Sequence, residues 1–154
     1  MFKIRNLVKG NIPAWEIRKA YKKAFNISTP SFRERLLMAI TGQGWQSPFF
    51  FADNYYKETD EELIRQILKE DETDLQEYVA EEFDCDDSAF RLMGVFHQNR
   101  ETAAMGIFIT WVMTPRGGHA LLSYYVDGEV KLIEPQNDKI FPVPRGWELI
   151  LLCG

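Results

Sequence analysis

The chain has 154 residues, 45% of them hydrophobic and 27% charged, which suits one globular domain and excludes a disordered polar chain. Its formal net charge of −5 argues against a nucleic-acid binder, and no apolar run reaches the roughly 18 residues that a transmembrane helix needs. Two cysteines cannot build a disulfide framework, and two unpaired histidines, His97 and His119, offer no zinc spacing, so a reducing cytoplasm is the expected setting.

The charge is unevenly spread. Residues 1–50 carry nine Lys/Arg against two Asp/Glu, whereas residues 53–87 carry three against fifteen. Solvated helix faces account for both stretches; a sharper reading docks them on each other or draws a cation to the acidic one. The N-terminal stretch Met1–Gly10 alternates basic and apolar residues and shows no secretory signal.

The first two-thirds of the chain is expected to be helical. Pro13–Phe25 spaces Trp15, Ile17, Tyr21 and Phe25 near the helical period, with proline at the first turn. Ser31–Ile40 follows Pro30, sets Phe32, Leu36, Leu37 and Ile40 on one face, and ends at Gly42 and Gly44. Ser47–Tyr56 is aromatic and irregular; Trp45 just before it has no assigned place. Thr59–Lys69 opens with Thr59 and Glu62 at capping-box spacing and carries Leu63, Ile64, Ile67 and Leu68. Asp74–Phe83 follows with Leu75, Tyr78, Val79 and Phe83, then Cys85–Phe96 with Ala89, Leu92, Met93 and Phe96.

The last third changes to strand period. Met105–Met113 is β-branched and aromatic. Gly118–Val126 and Glu129–Gln136 flank Asp127-Gly128, a strong hairpin signal. Pro142, Pro144 and Gly146 punctuate a turn before the closing strand Trp147–Leu152. Helices first and an antiparallel sheet after give an α+β expectation.

Three residues stand out chemically. Cys85 opens a helix behind Asp84, where unpaired backbone N–H groups favour a thiolate and the neighbouring carboxylates oppose it. A two-residue loop at Asp127-Gly128 pairs Val126 with Glu129, which sets His119 opposite Gln136 and Leu121 opposite Glu134. Side chains two apart share a face, so His119, Glu134 and Gln136 project together, with Glu134 diagonal to the imidazole. A carboxylate hydrogen-bonded to histidine fixes its tautomer, and a helix carrying Cys85 on the same face would bring thiol and imidazole together for acyl transfer. The Cys85 N–H and the Gln136 amide are then oxyanion donors.

The strings FDCDD, GGHALLSYYVDG and IEPQND resemble the papain-like domain at the C-terminus of the Marasmius oreades agglutinin group and related bacterial and phage domains, over roughly residues 75–152. That resemblance implies a papain-like fold, with N-terminal helices and the nucleophile helix packed on a C-terminal antiparallel sheet. It also implies cysteine-peptidase activity with Cys85 as nucleophile, His119 as base and Glu134 as the orienting residue, and a dependence on calcium in the fungal lectin. No cofactor is required by this reading. Ca²⁺ near Asp84, Asp86 and Asp87 would relieve the repulsion around the thiol.

The resulting expectation is a single papain-like domain over residues 1–154, with an N-terminal helical part (1–57) and a catalytic core (58–154). Its function would be that of a cysteine hydrolase acting on a peptide or protein substrate, with no nucleic-acid or membrane partner. The alternatives are a non-catalytic papain-like interaction or binding module, or a transglutaminase or peptidoglycan amidase with the same three residues.

Overall fold

The computed structural model describes residues 10–28, 30–42 and 47–154. The sequence motif of Met1–Gly10 therefore lies almost wholly outside the described residues, and Trp45 lies outside them too. In chain order the elements are β1 (Asn11–Pro13), α1 (Ala14–Ala24), α2 (Phe32–Ile40), β2 (Phe49–Phe50), β3 (Tyr55–Lys57), α3 (Glu61–Glu70), α4 (Cys85–His97), α5 (Arg100–Ala103), β4 (Ile107–Thr114), β5 (Gly117–Val126), β6 (Glu129–Glu134), β7 (Lys139–Pro142) and β8 (Glu148–Cys153).

Local chemistry sets most of these boundaries. Pro13, at φ −70°, sits at the N-cap of α1, where its missing N–H costs nothing. Ser31 and Glu34 form a reciprocal capping box on α2: the Ser31 N–H donates to Glu34 Oε2 at 2.6 Å and the Glu34 N–H to Ser31 Oγ at 3.3 Å. On α3 the cap is Asp60, whose Oδ1 accepts from the N–H groups of Glu62 and Leu63 at 3.1 and 3.2 Å. The expected capping residue, Thr59, is instead buried one position earlier. Asp127 and Gly128 both take positive φ, 49° and 83°, as a type I′ hairpin turn requires.

The expected helix over Asp74–Phe83 does not form. A single 3₁₀ turn spans Thr73–Leu75, and Val79 then pairs with Phe83 around Glu81, which has φ 64°. Leu75, Tyr78 and Val79 are exposed, so no tertiary face among the described residues rewards a helix there. The face expected on α2 is likewise uncovered among the described residues: Phe32, Leu36, Leu37 and Ile40 are all exposed.

Six strands form one sheet in the order β2-β8-β4-β5-β6-β7, and β1 pairs with β3 in a second, two-stranded sheet. The pairs within β4 to β8 are antiparallel, whereas β2 runs parallel to β8. Ile150 is the extra residue of a bulge, because Leu151 faces Trp111 and Leu149 faces Val112. The expected wholly antiparallel C-terminal sheet is therefore corrected. The sheet is mixed and recruits Phe49 and Phe50 from the aromatic segment that sequence periodicity left irregular. Strands of two or three residues carry too little alternation to be read from sequence.

Two apolar layers lie on the two faces of this sheet. On one face Ile17 and Tyr21 of α1 pack with Phe108, Val112, Leu121, Tyr125 and Leu132. On the other Ile64 and Leu68 of α3 and Ala89, Leu92 and Phe96 of α4 pack with Ala120, Leu122, Tyr124 and Ile133. The alternation of β5 sends odd-numbered residues to the first layer and even-numbered ones to the second. A buried polar trio crosses the first layer, in which Ser123 Oγ lies 2.6 Å from both Tyr21 Oη and Thr110 Oγ1. Burial pushes the Tyr21 hydroxyl far above its ordinary pKa, outweighing the opposing hydrogen bond with Ser123.

Candidate functional site

The start of β5 and the end of β6 bring two of the sequence-selected residues together. His119 Nε2 lies 2.6 Å from Glu134 Oε2, both side chains being only partly exposed. The hairpin register carries this contact: Val126 pairs with Glu129 and Leu122 with Ile133, so Glu134 falls diagonal to His119. The other Glu134 oxygen accepts the Gln136 N–H at 3.4 Å. Gln136 itself is not across from His119, because β6 ends at Glu134 and a turn follows. The contact between Gln136 and the Glu134 carboxylate is made by the Gln136 backbone, not its side-chain amide.

Cys85 stands apart from this pair. It is the first residue of α4 and packs against the layer of Ala89, Leu92, Leu122 and Tyr124. His119 alternates with Leu121 and Tyr125, which belong to the opposite layer. No hydrogen bond joins the thiol to the imidazole; Cys85 and Cys153 are both free thiols. The sulfur is flanked instead by carboxylates. Ligand atoms of Asp84, Cys85 and Asp86 lie within 4.8 Å of one another. Sharing a hydrogen bond with Asp84 holds the Asp86 carboxyl above its ordinary pKa.

The Asp87 carboxylate is engaged in the helix cap, accepting the Asp84 N–H through Oδ2 at 3.2 Å. His97, the other histidine, closes α4 at its C-terminal end, where the helix dipole favours positive charge.

A second tie fastens the α3 layer to the sheet. Glu61 Oε2 accepts from Lys131 Nζ at 2.7 Å, and Glu61 Oε1 accepts from Arg65 at 2.7 Å. The Lys131 ammonium and then the Arg65 guanidinium hold the Glu61 carboxyl down at about 2. Sequence reasoning passed over this pair, although Glu61 and Arg65 at i,i+4 are a readable signal.

No family model matches the chain, and no curated protein matches it. Solved structures do share its fold. One, titled "PSL1a-E64 complex", superposes with a TM-score of 0.69 at 15% identity over 94% of this chain and 51% of its own. Another is Polyporus squamosus lectin bound to the human-type influenza-binding epitope Neu5Acα2-6Galβ1-4GlcNAc, with a TM-score of 0.67 at 16% identity over 94% of this chain and 49% of its own. The chain thus spans about half the length of each of these structures.

These neighbours correct the sequence-based expectation. The fold of this chain occurs within the solved structure of Polyporus squamosus lectin and within the E64 complex, and it is built on a mixed six-stranded sheet. The papain-like fold class, the cysteine-hydrolase function and the assignment as an enzyme are set aside. The physical reason lies in the strand alternation: Cys85 packs against the layer under α3 and α4, whereas His119 alternates with Leu121 and Tyr125 of the other layer. Among the described residues no helix is long and apolar enough to cross a membrane.

Proposed function

We propose that this chain is a non-catalytic binding module whose ligands are carbohydrates. The carrying observation is the fold, shared over 94% of the chain with a lectin solved together with a sialylated trisaccharide. The strand alternation that puts His119 on the face opposite the layer packed against Cys85 also supports this reading, because nucleophilic catalysis needs thiol and base within hydrogen-bond reach. In this reading Cys85, His119 and Glu134 carry no covalent chemistry. The His119–Glu134 pair pins the start of β5 to the end of β6 and holds the turn that follows. A reducing compartment suits the two free thiols.

Calorimetric titration with Neu5Acα2-6Galβ1-4GlcNAc, in parallel with intact-mass measurement after incubation with E64, tests the proposal. Saturable binding of the trisaccharide and an unchanged mass are expected. E64 carries an epoxide that alkylates activated thiols. An E64 adduct lost on Cys85→Ala, or cleavage of a denatured protein lost with the same substitution, overturns the non-catalytic reading. Absence of any heat with the trisaccharide overturns the carbohydrate assignment.

A further inference from the structure

We propose that the hollow between the end of α1 and the turn joining β7 to β8 is the sugar subsite, with one pyranose ring stacked on Trp147 and its hydroxyls held by Asn26, Arg145 and Glu148. This rests on the binding reading above and adds a location to it. The hollow measures about 560 Å³, within the range of about 300–1,000 Å³ typical of small-ligand sites. It is lined by Phe25, Asn26, Pro144, Arg145, Trp147 and Glu148, among others.

Three features favour a sugar. First, a pyranose needs a flat apolar platform for its C–H face, and Trp147 supplies one. The indole is half-buried and braced edge-on by Phe141, with ring centroids 6.0 Å apart and planes at 83°, so its position is set before a ligand arrives. Second, the polar groups around it are unspent. The side chains of Asn26, Arg145 and Glu148 make no hydrogen bond or ion pair with described residues. A planar guanidinium, a carboxylate and an amide together donate to and accept from neighbouring hydroxyls, which are both donors and acceptors.

Third, the backbone is preset. The Trp147 N–H donates to Pro144 O at 3.3 Å across Arg145 and Gly146, and Gly146 takes φ 85°, as the third residue of a type II turn must. On the other wall Asn26, at φ 53°, ends α1 in a left-handed conformation that few residues other than glycine adopt readily. The larger groove between α3 and α4, about 790 Å³, has no aromatic ring among its described lining residues and so offers no such platform.

The test titrates Neu5Acα2-6Galβ1-4GlcNAc and its neutral part Galβ1-4GlcNAc into the wild type, Trp147→Ala, Trp147→Phe, Arg145→Ala and, as a control in the α3–α4 groove, Arg91→Ala. Trp147→Ala and Arg145→Ala are expected to lose at least tenfold in affinity, Trp147→Phe less, and Arg91→Ala nothing. Arg145 is exposed, so its substitution reports on the site even where Trp147→Ala perturbs the fold. Wild-type affinity in Arg145→Ala and Trp147→Phe, or a loss confined to Arg91→Ala, overturns the subsite while leaving the binding reading standing. A wild type that binds neither sugar overturns both.

Discussion

His119 and Glu134 show how a single contact can be read from a chain. Their hydrogen bond follows from the hairpin alone, because a two-residue turn at Asp127-Gly128 fixes every pairing above it. Cys85 follows no such rule. Strand register says which residues of β5 share a face, but not which face a distant helix covers; α4 covers the even-numbered one. The pair stabilises the sheet end, and a double-mutant cycle of His119→Ala and Glu134→Ala is expected to give a coupling of about 1–2 kcal/mol in urea unfolding at neutral pH.

Asp138 is the second residue whose environment has a measurable outcome. It sits in the turn after β6 at φ 57°, its Oδ1 is buried without a partner, and burial followed by repulsion from Asp74 and Asp71 pushes its carboxyl up to about 6. A raised native pKa means that the folded state binds the proton more tightly than the unfolded one. Its contribution is therefore complete below pH 4 and is lost as pH rises through about 6. Solvent screening limits the effect to under about 1 kcal/mol. Asp138→Asn keeps a side chain that tolerates the left-handed backbone and removes the charge. Its melting temperature is expected to exceed that of the wild type at pH 7, with the difference vanishing at pH 4; a wild-type melting curve with no such difference refutes this.

Among the elements, those whose own pattern meets a tertiary face were legible. The run Met105–Met113 becomes β4 at Ile107–Thr114, and Cys85–Phe96 becomes α4 with Ala89, Leu92 and Phe96 buried. Asp74–Phe83 has helical spacing but no covering layer among the described residues, so its residues turn instead. The short strands β1, β2 and β3 were hidden because two or three residues show no period, and the parallel pairing of β2 with β8 joins segments about a hundred residues apart.

The β5–β6 hairpin is the element on which the site depends most. Gly128 sits at φ 83°, where a Cβ meets no neighbouring atom but strains the backbone. Gly128→Ala is expected to lower unfolding stability by about 1 kcal/mol without altering the core, as measured by chemical denaturation. Retention of full stability would mean that the turn can adopt another type.

For the molecule as a whole, the sheet is the partition that decides chemistry. Its two faces carry separate apolar layers, one under α1 and one under α3 and α4. Residues adjacent in the sequence of β5 consequently serve different halves of the protein. Composition and charge anticipated a globular chain, and the change of period near residue 105 anticipated where the large sheet begins. They could not anticipate the strand order, which depends on which segments meet late in folding.

That order has a consequence for the chain during its synthesis. β8 leaves the ribosome after the seven other strands of the described residues, yet it occupies an interior place between β2 and β4. Until it arrives, β4 offers an unpaired row of amides and carbonyls, and Phe49 has no strand to lie beside. A nascent chain halted before residue 148 would expose that row to its neighbours on a polysome, so holdase chaperones have a defined stretch to shield.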